Sequence, residues 1–544
     1  MKRHTRITRI GPVLVGALAG ALLLASCATT ASKSPGTGAT PTTQPAKVAS
    51  ATTSYTTLLS PAIPGVAALP GPIAKPATAS THMGLLNVTP QAAVAGTPMT
   101  ISGKHLGANK KVELTWSTAD ATWLVQPEPD TINYLGRAAT LFAVVIANTT
   151  TNSSGAFSVS MKVPQDWGGL HEIYAVVNGV EVSSGGFITL RTVTVTPKSG
   201  PIGTPITITY SGLGDTEYTG GASLLWDNHY VGEMMANWTR GVAQATIRAA
   251  GPVGVHTIQV GNAISYMYLN VPQSPIPYTN GATVKFTVTK DDGPPPASID
   301  WPVNVAPTLN ARTTLQTSGL AVGSKAKATL ASTRGSVDTS VALSATGLTK
   351  GAPVKLVWST VVGNRVNCLS VCWAFVSQAL GTATASGGAI RTNITVPDGL
   401  GGWHVVQLVQ NGKIMAQVPF YVEENIVGKG VSSIVVKEGQ AFTIHIDGVG
   451  WTQLDNTVAV DYDNSYMGYG CGFNSNGDVL LHLNATGGPG THLIDLYPML
   501  YSLSPSFADT PYGMVPVLTY ARDEPGLALG YRLPALRFAI TVVK

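Results

Sequence analysis

The feature that most limits how this chain can fold is an internal repeat. From Met83 onward one motif occurs four times: Gly169-Leu170-His171-Glu172-Ile173, Gly254-Val255-His256-Thr257-Ile258, Gly402-Trp403-His404-Val405-Val406 and Gly490-Thr491-His492-Leu493-Ile494. Each opens a stretch of alternating apolar residues, the pattern of a strand that follows a tight turn. The copies are related in pairs. Val163-Pro164, Gly168-Gly169, His171 and Asn178-Gly179 recur as Val396-Pro397, Gly401-Gly402, His404 and Asn411-Gly412, always 233 residues on (171 to 404). Asp227-Asn228, Tyr230, Gly232, Gly241, Gly251, Gly254 and His256 recur as Asp463-Asn464, Tyr466, Gly468, Gly477, Gly487, Gly490 and His492, always 236 residues on (256 to 492). The chain is a two-module unit written twice, A-B-A′-B′.

The modules also open alike. Val88-Thr89-Pro90 leads to Gly96-Thr97-Pro98, and Val195-Thr196-Pro197 leads to Gly203-Thr204-Pro205. An aromatic then ends a strand: Trp116, Trp226, Trp358 and Tyr462. In B and B′ the Asp-Asn pair that follows suits a two-residue hairpin turn. About seven short strands per module, with turns every 8–12 residues, predict an immunoglobulin-like sandwich. This pattern resembles bacterial immunoglobulin-like domains of the IPT/TIG and Big type over about 84–544. The resemblance implies an all-β fold of four tandem β-sandwich domains and leaves function open, since such domains serve in adhesins, spacers, enzyme accessory regions and envelope structures. A′ departs in a degenerate opening. B′ departs in carrying Lys437-Glu438-Gly439-Gln440 where the others have Gly-Thr-Pro.

Composition agrees. Of 544 residues only 11% are charged, while 59 are Gly and 36 Pro, which fits many short strands and turns better than surface helices. The length alone suggests three to five domains. The net charge of +5 does not indicate nucleic acid. Lys2, Arg3, Arg6 and Arg9 all precede Cys27, and without them 29 positive residues face 28 negative ones. No basic cluster remains to bind phosphate.

Residues 1–27 read as an export signal: a basic start, an apolar run from Val13 to Leu24, then Leu24-Ala25-Ser26-Cys27. The run is too short to anchor by itself. Small residues before a Cys resemble the bacterial lipobox, and the resemblance implies lipidation of Cys27. The expected placement is the cell envelope, lipid-anchored and extracytoplasmic, at the outer membrane or cell surface. Residues 28–83, rich in Ala, Thr, Ser and Pro, are expected to be an unfolded tether. Domain boundaries are expected at 84–190 for A, 191–290 for B, 312–423 for A′ and 424–544 for B′. A Pro-rich joint, 291–311, separates the two units.

No catalytic motif occurs: there is no Gly-x-Ser-x-Gly, His-Glu-x-x-His or P-loop, and no cofactor is implied. The four repeated histidines lie one per module, so they are expected to satisfy a backbone group at a sandwich corner rather than share a metal. Cys368 and Cys372 lie in an insertion and are the candidate disulfide. In an extended strand their Cα atoms would be about 13 Å apart, so bridging requires a turn. Cys471 occupies an ordinary strand position, and no spacing supports zinc. Asp461, Asp463 and Asp478 match turn chemistry rather than a calcium loop.

Insertions distinguish the modules. A carries extra sequence after its strand-ending Trp, with Trp123 and Tyr134. A′ carries the counterpart with Trp373. B′ has a C-terminal insertion with Tyr512, Arg522, Asp523 and Tyr531. Loops on a rigid sandwich are where recognition usually sits, and Tyr, Trp and Arg are favoured binding residues. Trp123, Tyr134, Trp373, Tyr512 and Arg522 are therefore the candidate partner-binding residues. The alternative is that these aromatics cover joints between domains. The functional expectation is a cell-surface binding, adhesion or spacer lipoprotein with a protein or glycan ligand. A carbohydrate-binding surface protein and an accessory region of an extracellular hydrolytic system are the alternatives.

Overall fold

The computed structural model describes residues 56–57, 68–127, 132–216, 219–261, 269, 281–302, 320–363, 373–428, 434–452, 454–499, 515–523 and 530–544. The fold is all-β. Its sheets fall into pairs, one pair for each repeat of the sequence. In every pair the larger sheet contains four strands in the same order, which we name by role: closing, histidine, inner and edge. The inner strands are Lys111–Pro127, Gly221–Trp226, Pro353–Gly363 and Thr457–Tyr462. The edge strands that return from them are Ile132–Thr150, His229–Met235, Trp373–Thr384 and Ser465–Cys471. The histidine strands, Gly169–Val177, Gly254–Gly261, Gly402–Gln410 and Gly490–Pro498, begin at the repeated motif. The closing strands are Val180–Thr189, Ala282–Val288, Lys413–Val422 and Ala535–Val543.

The second sheet of each pair is three-stranded. In B it contains Thr192–Thr196, Pro205–Ser211 and Val242–Arg248, and in B′ Asn425–Ile426, Ala441–Asp447 and Val479–Asn484. Alternation drives the packing. Along Pro205–Ser211, Ile206, Ile208 and Tyr210 are buried while the residues between them are not. They meet Leu224, Trp226, Ile258 and Phe286 from the facing sheet.

Each core is organised around the repeated histidine. His171 stacks on Trp116, with ring centroids 4.1 Å apart, and His256 stacks on Trp226 at 5.0 Å. His404 lies against Trp358 at 4.8 Å, and His492 stacks on Tyr462 at 5.5 Å. The polar tips behave as the sequence predicts in three modules. Nε2 of His171, His256 and His492 pairs with the carbonyl of Trp167, Pro252 and Gly488, each four residues earlier. The Asp-Asn turns explain the linked Asp. Asp227 and Asn228, like Asp463 and Asn464, take positive φ between 47° and 67°, as a two-residue hairpin turn needs. The turn aims Asp227 at His256 Nδ1 (2.5 Å) and at the Thr257 N–H (2.8 Å). Asp463 repeats both bonds to His492 and Leu493.

Two expectations about connecting segments are corrected. The tether ends earlier than residue 83. Thr78–Leu85 is a strand lying parallel to the closing strand of A, and 72–74 pairs with the edge strand of A. Its prolines and small residues read as linker, but sheet edges accept such sequences because only one side of the strand is paired. The joint 291–311 also contains a strand, Ser298–Asp300, which pairs with the closing strand of B′. Asp291 accepts bonds from the N–H and hydroxyl of Thr491.

Candidate functional site

The polar chemistry of the described residues concentrates where B meets B′. This seam is built from charged residues placed inside apolar strands. Asp461 of the inner strand and Asp495 of the histidine strand are cross-strand partners, and both are buried. Arg537, buried on the closing strand, lies between them and B. It donates to Tyr497 Oη at 2.8 Å, to Asp300 at 2.8 Å and to the Thr246 carbonyl at 3.2 Å, and it stands 3.4 Å from Asp495. Arg248 of B crosses in the other direction. It meets Asp495 at 2.6 Å and donates to the Phe538 carbonyl at 2.6 Å. Asn464 donates back to the Arg248 carbonyl at 2.7 Å.

The charges are compensated unequally. Burial, then the neighbouring Asp495, holds the Asp461 carboxyl well above the usual carboxylate range, against the pull of Arg537. Arg537 keeps its charge. Burial opposes it, but Tyr497, Asp495 and Asp300 outweigh burial. The arrangement joins two guanidiniums through the Asp495 carboxylate, with Asp300 as a second partner of Arg537 and the raised Asp461 carboxyl alongside, a clamp between sheets.

The C-terminal insertion adds a second layer to the seam. Pro516-Val517-Leu518 pairs with the edge strand of B. The Glu233 N–H donates to the Pro516 carbonyl, and the Leu518 N–H donates to the Glu233 carbonyl. The Met235 N–H donates to Thr519 Oγ1. Asp523 accepts from the N–H groups of Asn237 and Trp238, closing a turn of B with a carboxylate. On its other flank the insertion reaches A′. Tyr421 Oη accepts the Arg532 N–H and donates to the Arg532 carbonyl, Arg532 pairs with Glu423, and its guanidinium lies 4.8 Å over Trp301.

The candidate residues are dispersed. Trp123 and Tyr134 sit on the hairpin of A, which stays paired from Lys111 and Thr150 out to Pro127 and Ile132, with Trp123 opposite Arg137 and Val125 opposite Tyr134. Trp373 opens the edge strand of A′, opposite Gly363. Arg522 is half-buried in the turn beside Asp523. Cys27, Cys368, Cys372 and Tyr512 lie outside the described residues. Cys471 lies with its Sγ 3.3 Å from Thr457 Oγ1. Among the described residues no group of His, Cys, Asp or Glu is arranged to hold a metal ion, and no helix is long and apolar enough to cross a membrane.

The seam escaped the sequence reading, although a signal was present. Asp461, Asp495 and Arg537 each interrupt an otherwise apolar strand on a core-facing segment. Such a residue needs a partner, and a strand pattern does not say which one.

No protein-family profile matches the chain, and no curated protein matches it. Among solved structures, 185 chains match. A Salmonella alpha-2-macroglobulin has 9% identity and a TM-score of 0.16, with 85% of this chain and 31% of that one covered. The Escherichia coli adhesin FdeC has 13% identity and a TM-score of 0.15, covering 63% and 98%. The Yersinia pseudotuberculosis adhesin InvE has 11% identity and a TM-score of 0.14, covering 43% and 58%. The chain spans about a third of the length of the alpha-2-macroglobulins it matches. None of these likenesses transfers an activity.

Proposed function

We propose that this protein is a lipid-anchored cell-surface binding protein built of four IPT/TIG- or Big-type domains, with no reaction of its own. The lipobox-like Leu24-Ala25-Ser26-Cys27 behind a basic, apolar leader supports the anchor. One observation supports the binding role above the others: the hairpin of A runs on far past its sandwich. Its inner strand has 17 residues where that of B has 6, and the pairing continues to the tip. The hairpin of A is held at its base by Trp167 and along Leu124–Val125 by Thr56–Thr57, and its end beyond these contacts is the part that reads as outward-facing. The ligand is a protein or glycan at the cell surface.

Two measurements test this. Cys27→Ala leaves the protein unlabelled by radioactive palmitate and releases it to the soluble fraction. Unchanged membrane association would remove the anchor from the reading. A photo-crosslinking amino acid at Trp123 on intact cells yields a discrete adduct that the same group at exposed Leu480 does not. Identical patterns at both positions would reject the hairpin as the binding element.

A further inference from the structure

At two equivalent places the A–B and A′–B′ joints differ in charge. The loops that open at Gly214 in B and Gly450 in B′ fold alike. Each glycine N–H donates at 2.8 Å to the carbonyl five residues on, that of Thr219 or Asp455. The side chain there meets a threonine hydroxyl, Thr216 or Thr452, at 2.5 Å. The residue connecting the modules beside each loop is also equivalent, 233 positions apart (191 to 424). A Cβ on Gly212 would come within 2.9 Å of the Arg191 Cα, and one on Gly448 within 3.3 Å of the Glu424 Cα. A–B thus has Arg191 and Thr219 where A′–B′ has Glu424 and Asp455.

The two settings are unlike. Arg191 is half-buried and donates to Tyr210 Oη at 3.3 Å. Glu424 is 8% exposed, and its Oε2 has no hydrogen-bond partner. Asp455 is 3% exposed and lies against A′, where a Cβ on Gly402 would come within 2.4 Å of its Oδ2. The nearby cations serve another residue: Arg532 pairs with Glu423, and Arg334 stands 3.7 Å from the same carboxylate. Tyr421 of A′ and Tyr531 of the B′ insertion face each other with ring centroids 6.1 Å apart. Burial, then Asp455, pushes both hydroxyls up, so neither supplies charge. Burial, then Asp455, also holds the Glu424 carboxyl well above the usual carboxylate range.

A buried carboxyl without a partner, with a second carboxyl acting on it, is tolerated only while neutral. Once it gives its proton to solvent, the joint must keep two like charges in a dry site or admit water. Admitting water is the cheaper route. Glu424 lies on the connection between two separately cored modules, so a shift of one module wets it without unfolding either core.

We propose that the A′–B′ joint is a pH-operated hinge, closed while Glu424 is protonated and opened locally at Gly401–Gly402 when Glu424 and Asp455 both carry charge. By linkage, a carboxyl raised in the closed joint stabilises that joint below its open-state value, and the contribution is lost as pH rises. The A–B joint, with Arg191 and Thr219, stays closed over the same range. The hinge is separate from the hairpin of A and does not depend on lipid anchoring.

Hydrogen exchange read by mass spectrometry on the full chain tests this through two equivalent amides. The Gly401 N–H donates to the Val449 carbonyl across A′–B′, and the Gly168 N–H donates to the Leu213 carbonyl across A–B. After correction for intrinsic rates, protection of Gly401 in the parent relative to Glu424→Gln should fall about tenfold or more from pH 5 to pH 9. The same ratio at Gly168 should stay within about twofold. Glu424→Gln keeps the shape and removes the titration, so the other carboxyls of the joint contribute equally to both chains. If Glu424→Gln lowers the melting temperature at pH 5, Asp455→Asn takes its place, and the parent should lose about threefold more protection than that variant. A constant ratio at Gly401, or an equal fall at Gly168, overturns the proposal.

Discussion

The joint between A and B and the joint between A′ and B′ share one backbone contact and fill it with different chemistry. In the first, the Gly168 N–H donates to the Leu213 carbonyl at 2.7 Å; in the second, the Gly401 N–H donates to the Val449 carbonyl at 3.0 Å. Both contacts demand glycine. A Cβ on Gly168 would lie 1.7 Å from the Gly212 oxygen, and one on Gly401 would lie 1.6 Å from the Gly448 oxygen. Around this constant core the large side chain comes from opposite sides. In A–B it is Trp167 of A, which packs on Ala119 and Ala121 and donates its indole N–H to the Ala119 carbonyl. In A′–B′ it is Trp451 of B′, packed among Val361, Phe375, Leu400, Val405 and Phe473. Each joint is filled by one indole, set against two alanines in A–B and against large apolar side chains in A′–B′, so the same role is met from opposite sides.

This equivalence can be broken most severely at the two tryptophans. Trp451→Ala and Trp167→Ala should each destabilise the protein by about 3 kcal/mol, since each leaves a cavity the size of an indole. Thermal unfolding followed by calorimetry measures both. A loss below about 1 kcal/mol in either variant would mean that its joint is held by the glycine contact alone. Restoring volume from the other side, with Trp451→Ala combined with Leu400→Trp, should recover part of the loss and would show that the source of the volume is interchangeable.

The joints show how far local sequence reaches. The Gly-x-His strands, the aromatic stacked on each histidine, the Asp-Asn turns and the order of strands follow from alternation and turn residues close together in the chain. Those short-range signals carry the all-β fold. The pairing of Pro516–Leu518 with Glu233, the crossing of Arg248 to Asp495 and the exchange between Trp167 and Trp451 join residues tens to hundreds of positions apart. No period marks such contacts. A charged residue in an apolar strand, such as Arg537, announces that a partner exists without naming it. The candidate residues chosen for aromatic character were legible as insertions. Which insertion faces inward was not, because that depends on how B and B′ meet.

Electrostatics separates the joints next. Asp398, His445, Asp447 and Asp478 gather at A′–B′, with Asp338 contributing from the turn of A′. At the same intervals A–B has Gln165, Thr209, Ser211 and Val242. Burial, then Asp478, pushes the Asp447 carboxyl up to about 6, with the nearby His445 opposing and Asp398 and Asp338 adding to the rise. His445 lies 2.7 Å from Asp478. A carboxyl whose folded value is raised stabilises the fold below its unfolded value, near 4, and that stability is lost as pH rises towards 6. The contribution of Asp447 to stability should therefore fall between about pH 4 and pH 6 and level off above, while the raised carboxyls of Asp398, Glu424 and Asp461 add slopes of the same sign. Asp447→Asn should remove this slope and gain about 1 kcal/mol at pH 7 after allowance for solvent screening. Chemical denaturation across that range decides it, and a variant with the parent's slope would place the pH dependence elsewhere.

The smallest difference lies at the rim. A–B has an ion pair between Arg240 and Asp120 at 3.6 Å, with the Asp120 side chain 61% exposed. An exposed, monodentate pair at that distance gains little Coulomb energy and is screened by salt. The Asp120 carboxylate can be lost at almost no cost, although its base strand carries the Ala119 and Ala121 contacts that hold Trp167. Asp120→Ala should change stability by less than about 0.5 kcal/mol, and raising salt to 1 M should reproduce the change in the parent chain. A loss of about 1.5 kcal/mol or more would mean that the pair orients the hairpin of A over the joint. The contrast between the two joints would then be electrostatic at A–B as well, and not confined to the carboxylates of A′–B′.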